Sequence, residues 1–154
     1  MDLILWRHAE AEYGPPDMER ALTPHGERQA ANMAAWLRDH LPEDARILVS
    51  PAKRAQQTAR ALSSHFETVA ALSPGASVNE VLEACAWSGP AQGCALVVGH
   101  QPTLGEVAGR LLGIQGTVAV RKGAIWWLTG RSREGSPVVL TACLPPAMLI
   151  QAPR

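Results

Sequence analysis

Two arginines and two histidines, set in three short stretches, are the residues of this chain best suited to chemistry: Arg7-His8, Ser50-Pro51-Ala52-Lys53-Arg54 and Gly99-His100-Gln101-Pro102. An arginine fork stays protonated and can hold two phosphate oxygens at once. An imidazole can attack phosphorus when neutral, or donate to a phosphate oxygen when charged. Together the four side chains could bind a phosphoryl group, attack it in line and balance charge on its equatorial oxygens. His8 takes the nucleophile's role because it directly follows a strand that would hold its backbone on both sides. One of its ring nitrogens must then donate to a fixed acceptor while the other faces phosphorus. Arg7 and Arg54 bind the phosphoryl group, and His100 is expected to donate to it as an imidazolium. No carboxylate cluster has magnesium or zinc spacing, so neither a metal nor a cofactor is expected.

Each stretch follows an apolar run. Leu3 to Trp6, Ile47 to Val49 and Ala95 to Val98 are short and continuous, as strands covered on both faces would be. Thr23-Pro24 predicts a helix start, and Ala30, Met33, Ala34, Leu37 and Leu41 repeat at helical spacing to about His40. Ser50-Pro51 repeats that cap-plus-proline pattern for a second helix carrying Ala55, Ala59, Leu62 and Phe66. Its free N–H groups would face the same anion. A short strand is expected over Glu67 to Leu72, a helix over Ser77 to Ala86, and another helix from Thr103. Ala124 to Thr129 and Val138 to Ala142 predict a closing β-hairpin around a turn from Gly130 to Pro137, with Trp126 and Trp127 on opposite faces. The pattern is α/β: a three-layer sandwich with a mostly parallel sheet and helices on both faces.

Each motif taken singly is also what a capped helix or a turn produces. Their occurrence in order, at three strand ends, is what points to a site. His25, His40 and His65 lie at helix starts or ends, where solvent or the helix dipole accounts for them, and only His25 is near the loop after His8.

Composition excludes other classes. The chain of 154 residues is 47% hydrophobic and predicts one domain spanning 1–154. Its 14 basic and 14 acidic residues cancel, so no global field draws it to nucleic acid or an anionic membrane. The opening residues lack a signal peptide's basic and long apolar regions, and no apolar run is long enough to span a bilayer. A cytoplasmic monomer is expected. Cys85, Cys94 and Cys143 fit neither a redox pair nor a zinc pattern and read as reduced, partly buried thiols.

Within this frame, Leu3-Ile4-Leu5-Trp6-Arg7-His8-Ala9-Glu10-Ala11 resembles the Arg-His-Gly signature of the histidine phosphatase superfamily (phosphoglycerate mutase-like). Alanine stands at position 9 where glycine is usual, a change tolerable if the backbone there has negative φ. Arg20-Ala21-Leu22-Thr23-Pro24-His25-Gly26 resembles the family's Arg-x-Leu-Thr-x-x-Gly stretch, which implies that Arg20 approaches the phosphate. Ser50 to Thr58 and Val97 to Pro102 match the second arginine and second histidine motifs. The resemblance implies a phosphoryl-transfer domain that passes through a phosphohistidine on His8, with Arg7, Arg20, Arg54, His100 and Gln101 binding substrate.

Members of the family that act on small phosphomonoesters carry a longer segment before the second histidine motif, with a carboxylic acid that protonates the leaving oxygen. Only Ala55 to Gly99 intervenes here, which resembles the short SixA-type phosphohistidine phosphatases and leaves little chain for a lid. The implied function is hydrolysis of phosphohistidine on a partner protein, such as a histidine-containing phosphotransfer domain, through an open and shallow site. The alternatives are a small-molecule phosphomonoesterase of the same superfamily and a non-catalytic phosphate- or phosphohistidine-binding module.

Overall fold

A computed structural model describes residues 1–87, 93–130 and 137–149. Among them, six strands form one sheet: β1 (Asp2–Arg7), β2 (Arg46–Val49), β3 (Glu67–Thr68), β4 (Cys94–Gly99), β5 (Ile125–Thr129) and β6 (Val139–Leu144). Their order is β3-β2-β4-β1-β5-β6; the first four are mutually parallel, and β5 pairs antiparallel with both β1 and β6. Four α-helices cover it: α1 (Pro24–His40), α2 (Lys53–Arg60), α3 (Val78–Ala84) and α4 (Thr103–Leu112).

The continuous apolar runs of β1 and β4 are explained by burial on both faces. Alternate side chains divide between two layers. Leu3, Leu5, Ala95 and Val97 pack with Val78, Val81, Leu104 and Val107 from α3 and α4. Ile4, Trp6, Leu96 and Val98 pack with Met33, Leu37, Ala55 and Ala59 from α1 and α2. The register sets Arg7 opposite Gly99 and Val49 opposite Val98, so β1, β2 and β4 end at one level on the sheet's carboxyl edge, where open α/β sheets bind ligands.

Helix α1 has the predicted bounds: Thr23 accepts from the Gly26 N–H, and Pro24 opens the first turn. Three elements differ from expectation. α2 begins at Lys53 after Ala52, which has no side-chain cap, and it ends at Arg60, so Leu62 and Phe66 lie beyond it. The Ser50 hydroxyl, expected as the cap, accepts from the Ala52 N–H just ahead of the helix and also meets His100. Glu67–Thr68 is the whole of β3, because the chain tightens at once into a 3-10 turn over Ala70–Leu72. α3 is shorter than Ser77 to Ala86: Ser77 caps it in a reciprocal box with Glu80, and Ala86 has left-handed φ of 56° past its end.

The closing hairpin lies at one side of the sheet, as expected, and the structure sets its β5 beside β1; most of its turn, 131–136, falls outside the described residues. Trp127 is buried in the α1/α2 layer, and Trp126 packs against the opposite one. Cys85 and Cys94 are buried free thiols, whereas Cys143 on the edge strand is exposed rather than partly buried. No helix among the described residues is long and apolar enough to cross a membrane.

Candidate active site

Strand pairing continues past β1 and holds the nucleophile's backbone. The His8 N–H donates to Gly99 O, Arg7 N–H donates to Ala124 O, and the Gly123 N–H is shared by the carbonyls of Arg7 and His8. His8 is thus fixed on both sides, as its position predicts. Its Nδ1 lies 2.7 Å from Ala9 O. A carbonyl only accepts, so Nδ1 carries the proton and the lone pair is on Nε2, the form a nucleophile requires. Ala9 is held in turn, its N–H donating to Thr58 Oγ1 at 3.1 Å, and φ is positive at no described non-glycine residue except Ala86. The alanine is therefore accommodated.

His100 stands beside His8, ring centroids 5.2 Å apart. Its Nε2 is 2.7 Å from Ser50 Oγ, and that oxygen already accepts from the Ala52 N–H at 3.2 Å. A hydroxyl has one proton and two lone pairs, so Ser50 can meet Nε2 in either sense, and the sense that serves an anion is donation. Donating that proton to Nε2 places the ring proton on Nδ1, which is buried without a protein partner. Arg7 and Arg54 are similar. Arg7 Nη1 donates to Val120 O at 3.0 Å, while Nε of both arginines is buried and unpartnered. Buried, unpartnered nitrogens on two guanidinium groups and a ring are what a bound anion would satisfy.

The local field is strongly positive. Burial foremost, then the charges of Arg54, Arg7 and Arg20, outweigh the Ala9 hydrogen bond and push His8 down to about 4. Burial and the neighbouring His8 and Arg54 push His100 to about 3. Both rings are thus neutral at pH 7 without ligand. His100 can already donate through Nδ1–H, and a bound dianion would favour the imidazolium expected of it. Burial lowers Arg7 as well, though a guanidinium remains protonated in proteins.

The four residues chosen from sequence come together, and Arg20 joins their rim. Its Nε donates to Glu12 O at 2.7 Å and its Nη1 meets Asp17 Oδ1 at 3.3 Å. Gln101 does not join them. Its amide spans Val118 O at 3.1 Å and the Gly105 N–H at 2.7 Å, tying a loop to α4, so it is structural here. His25 is exposed beside Arg28, Gln29, Asn32, Pro146 and Ala147, and His40 bonds Trp36 O within its own helix.

The expected open, shallow site is corrected. His8, Arg54 and His100 are only 6%, 4% and 4% exposed, and Asp17, in a 3-10 turn over Asp17–Glu19, reaches Arg54. That contact comes from the loop after His8. Ser50, Thr58 and Asp17 carry roles that the residue pattern did not reveal. Only their closeness to the motif histidines and arginines could have marked them.

Residues 3–76 match the family model of the histidine phosphatase superfamily (branch 1). The chain is 34% identical over 130 residues to the phosphohistidine phosphatase SixA homolog of Haemophilus influenzae, covering 73% of this chain and 78% of that one. It is 33% identical over 121 residues to the phosphohistidine phosphatase SixA of Escherichia coli K12, covering 72% and 74%. The structure of the protein histidine phosphatase SixA complexed with tungstate matches the fold with a TM-score of 0.84 at 26% identity, over 97% of this chain and 100% of that one. With relatives this similar over nearly three quarters of its length, and its motif histidines and arginines gathered at one sheet edge, the chain belongs to the histidine phosphatase superfamily.

Proposed function

We propose that this protein is a metal-independent phosphohistidine phosphatase that takes the phosphoryl group from a histidine of a partner protein onto His8 and then delivers it to water. The observation that carries the reading is the His8 ring itself: neutral, tethered through Nδ1–H to Ala9 O, and free at Nε2. In the first step the Nε2 lone pair forms the bond to phosphorus while the substrate's P–N bond breaks. Its electron pair returns to the substrate's ring, which carries a proton on its other nitrogen and so departs as neutral imidazole. Arg7, Arg54 and Nδ1–H of His100 hold the equatorial oxygens. The phosphorylated His8 is then a phosphoimidazolium, still donating through Nδ1–H. Water attacks phosphorus, the P–Nε2 bond breaks, and His8 leaves as the neutral ring it began as, so it needs no proton donor. One proton of the water stays on phosphate and the other goes to solvent.

The leaving group favours phosphohistidine over a phosphomonoester. An alkoxide needs protonation as it departs, commonly worth about 10²–10⁴ in rate, whereas imidazole, with a pKa near ~6.5, leaves readily. No candidate carboxylate is set against a leaving oxygen. Glu10 accepts from Thr23, Glu80 caps α3, Glu83 is exposed, and Arg54 and Arg20 hold Asp17 below the usual carboxylate range. A histidine-containing phosphotransfer domain is the fitting partner, with the protein acting as a cytoplasmic monomer. The tungstate held by a similar structure is an oxyanion of the kind these donors suit.

The test is a labelled phosphohistidine protein, compared with phosphoserine and aryl phosphates, with rapid quenching. Acid-labile, alkali-stable label should appear on His8 and vanish in His8→Ala, and turnover should survive chelators. Label on serine or cysteine, or recovery only on adding a divalent ion, overturns the mechanism. Phosphate binding with no turnover of any substrate would make the protein a binding module.

A further inference from the structure

We propose that Asp17 is an internal anion that competes with the phosphoryl group for Arg54 and Arg20, closing the ligand-free site and weakening its hold on the phosphate product. Arg54 is buried, and a buried guanidinium without counter-charge is costly. Asp17 meets that need twice. Arg54 Nη1 donates to its carbonyl oxygen at 2.7 Å, and Nη2 donates to Oδ2 at 3.2 Å. Its other carboxylate oxygen is 3.3 Å from Arg20 Nη1. Asp17 thus occupies an N–H of each terminal nitrogen and leaves only the Nε side of the fork unpartnered, so a phosphoryl group that engages the terminal N–H groups as well must displace it.

The loop is suited to letting go. Residues Glu12 to Glu19 are exposed throughout, and the Asp17 side chain retains 56% of its exposure while paired. A carboxylate wetted to that degree loses little on returning to water. A phosphoryl group that takes the terminal N–H groups of Arg54 therefore requires the carboxylate to swing out. On release of phosphate it closes again and replaces the product's charge.

The inference rests on the phosphoryl-site reading of Arg7, His8, Arg54 and His100, and the experiment separates the two failures. Inorganic phosphate and vanadate are titrated calorimetrically into the wild-type chain, Asp17→Asn, Asp17→Ala and Glu19→Gln at fixed ionic strength and pH 7, and Tm is recorded with and without phosphate. Both Asp17 variants should bind phosphate about tenfold more tightly, and show a larger phosphate-induced rise in Tm from a lower ligand-free value. Glu19→Gln, two residues along the same turn, should match the wild type. Unchanged affinity in the Asp17 variants overturns the competition, and weaker affinity means that Asp17 positions Arg54 for substrate instead. If neither wild type nor any variant binds phosphate or vanadate, the site reading falls with it.

Discussion

Neutral His8 and His100 share one pocket with two guanidinium groups, and their titration is directly observable. With His8 pushed to about 4 and His100 to about 3, NMR signals of both rings should keep neutral positions down to about pH 5. Saturating phosphate should raise the His100 midpoint. A ring that titrates near 6.5 in the free protein would contradict this burial. Ser50 acts through His100: Ser50→Ala removes the only described partner of Nε2 and lets the ring proton sit on either nitrogen. We expect kcat to fall by roughly tenfold or more with KM changed less, because the Nδ1–H donor matters most as charge develops on the phosphoryl oxygens. Equal loss in Ser50→Ala and in a distant core variant of matched stability would assign Ser50 a purely structural role. Replacing Glu10, Glu12, Asp17, Glu80 or Glu83 singly by the amide should lower phosphohistidine turnover less than about tenfold, ~1.4 kcal/mol of barrier. Abolition by any one would bring the phosphomonoesterase reading forward.

At the scale of elements, the loop after His8 is seated by α1 and α2. Glu10 N–H donates to Gln29, Leu22 N–H to Gln57, and Thr23 N–H to Glu10 O. This explains Gly26, the glycine of the Arg-x-Leu-Thr-x-x-Gly stretch. A Cβ there would lie 2.0 Å from Glu10 O, a backbone atom that cannot yield without moving the loop. Gly26→Ala should destabilise by about 2–4 kcal/mol and lower activity beyond what stability explains, checked by urea unfolding beside kinetics. Thr58 ties α2 to the nucleophile loop, taking the Ala9 N–H and donating to Arg54 O at 2.7 Å. Thr58→Val leaves that N–H buried and unpaired, at a cost of about 1–3 kcal/mol, and should loosen the Ala9 carbonyl that fixes the His8 tautomer.

For the whole molecule, the site makes stability depend on acid. Both histidines have folded values below their ordinary 6.5, so between about 6.5 and about 3 the unfolded chain binds more protons than the folded one. Stability is therefore flat above that window and falls as pH drops through it. Asp17, also held low, adds a contribution present above the ordinary carboxylate pKa and lost on further acidification. Urea midpoints at pH 7.5, 5.5 and 4.5 should decline in the wild type and decline less in the His8→Asn/His100→Asn double variant. Identical slopes in the two proteins would show that these rings are not the source.

What was legible in the sequence was local. Continuous apolar runs require strands covered on both sides, Thr23-Pro24 caps and opens a helix, and Arg7-His8 and Gly99-His100 adjoin their strands, so the class, α1 and the four central residues followed from neighbours in the chain. Strand neighbours were not legible, since placing β4 between β1 and β2 depends on pairings tens of residues apart. Three side chains follow from that pairing. Ser50 reads as a helix cap until β4 brings His100 to its hydroxyl, whereupon α2 starts later. Gln101 reads as part of the site until Val118 and Gly105 take both ends of its amide. Asp17 reads as a loop carboxylate until burial leaves Arg54 in need of a counter-charge, and that need arises only where the folded chain has removed water from the guanidinium.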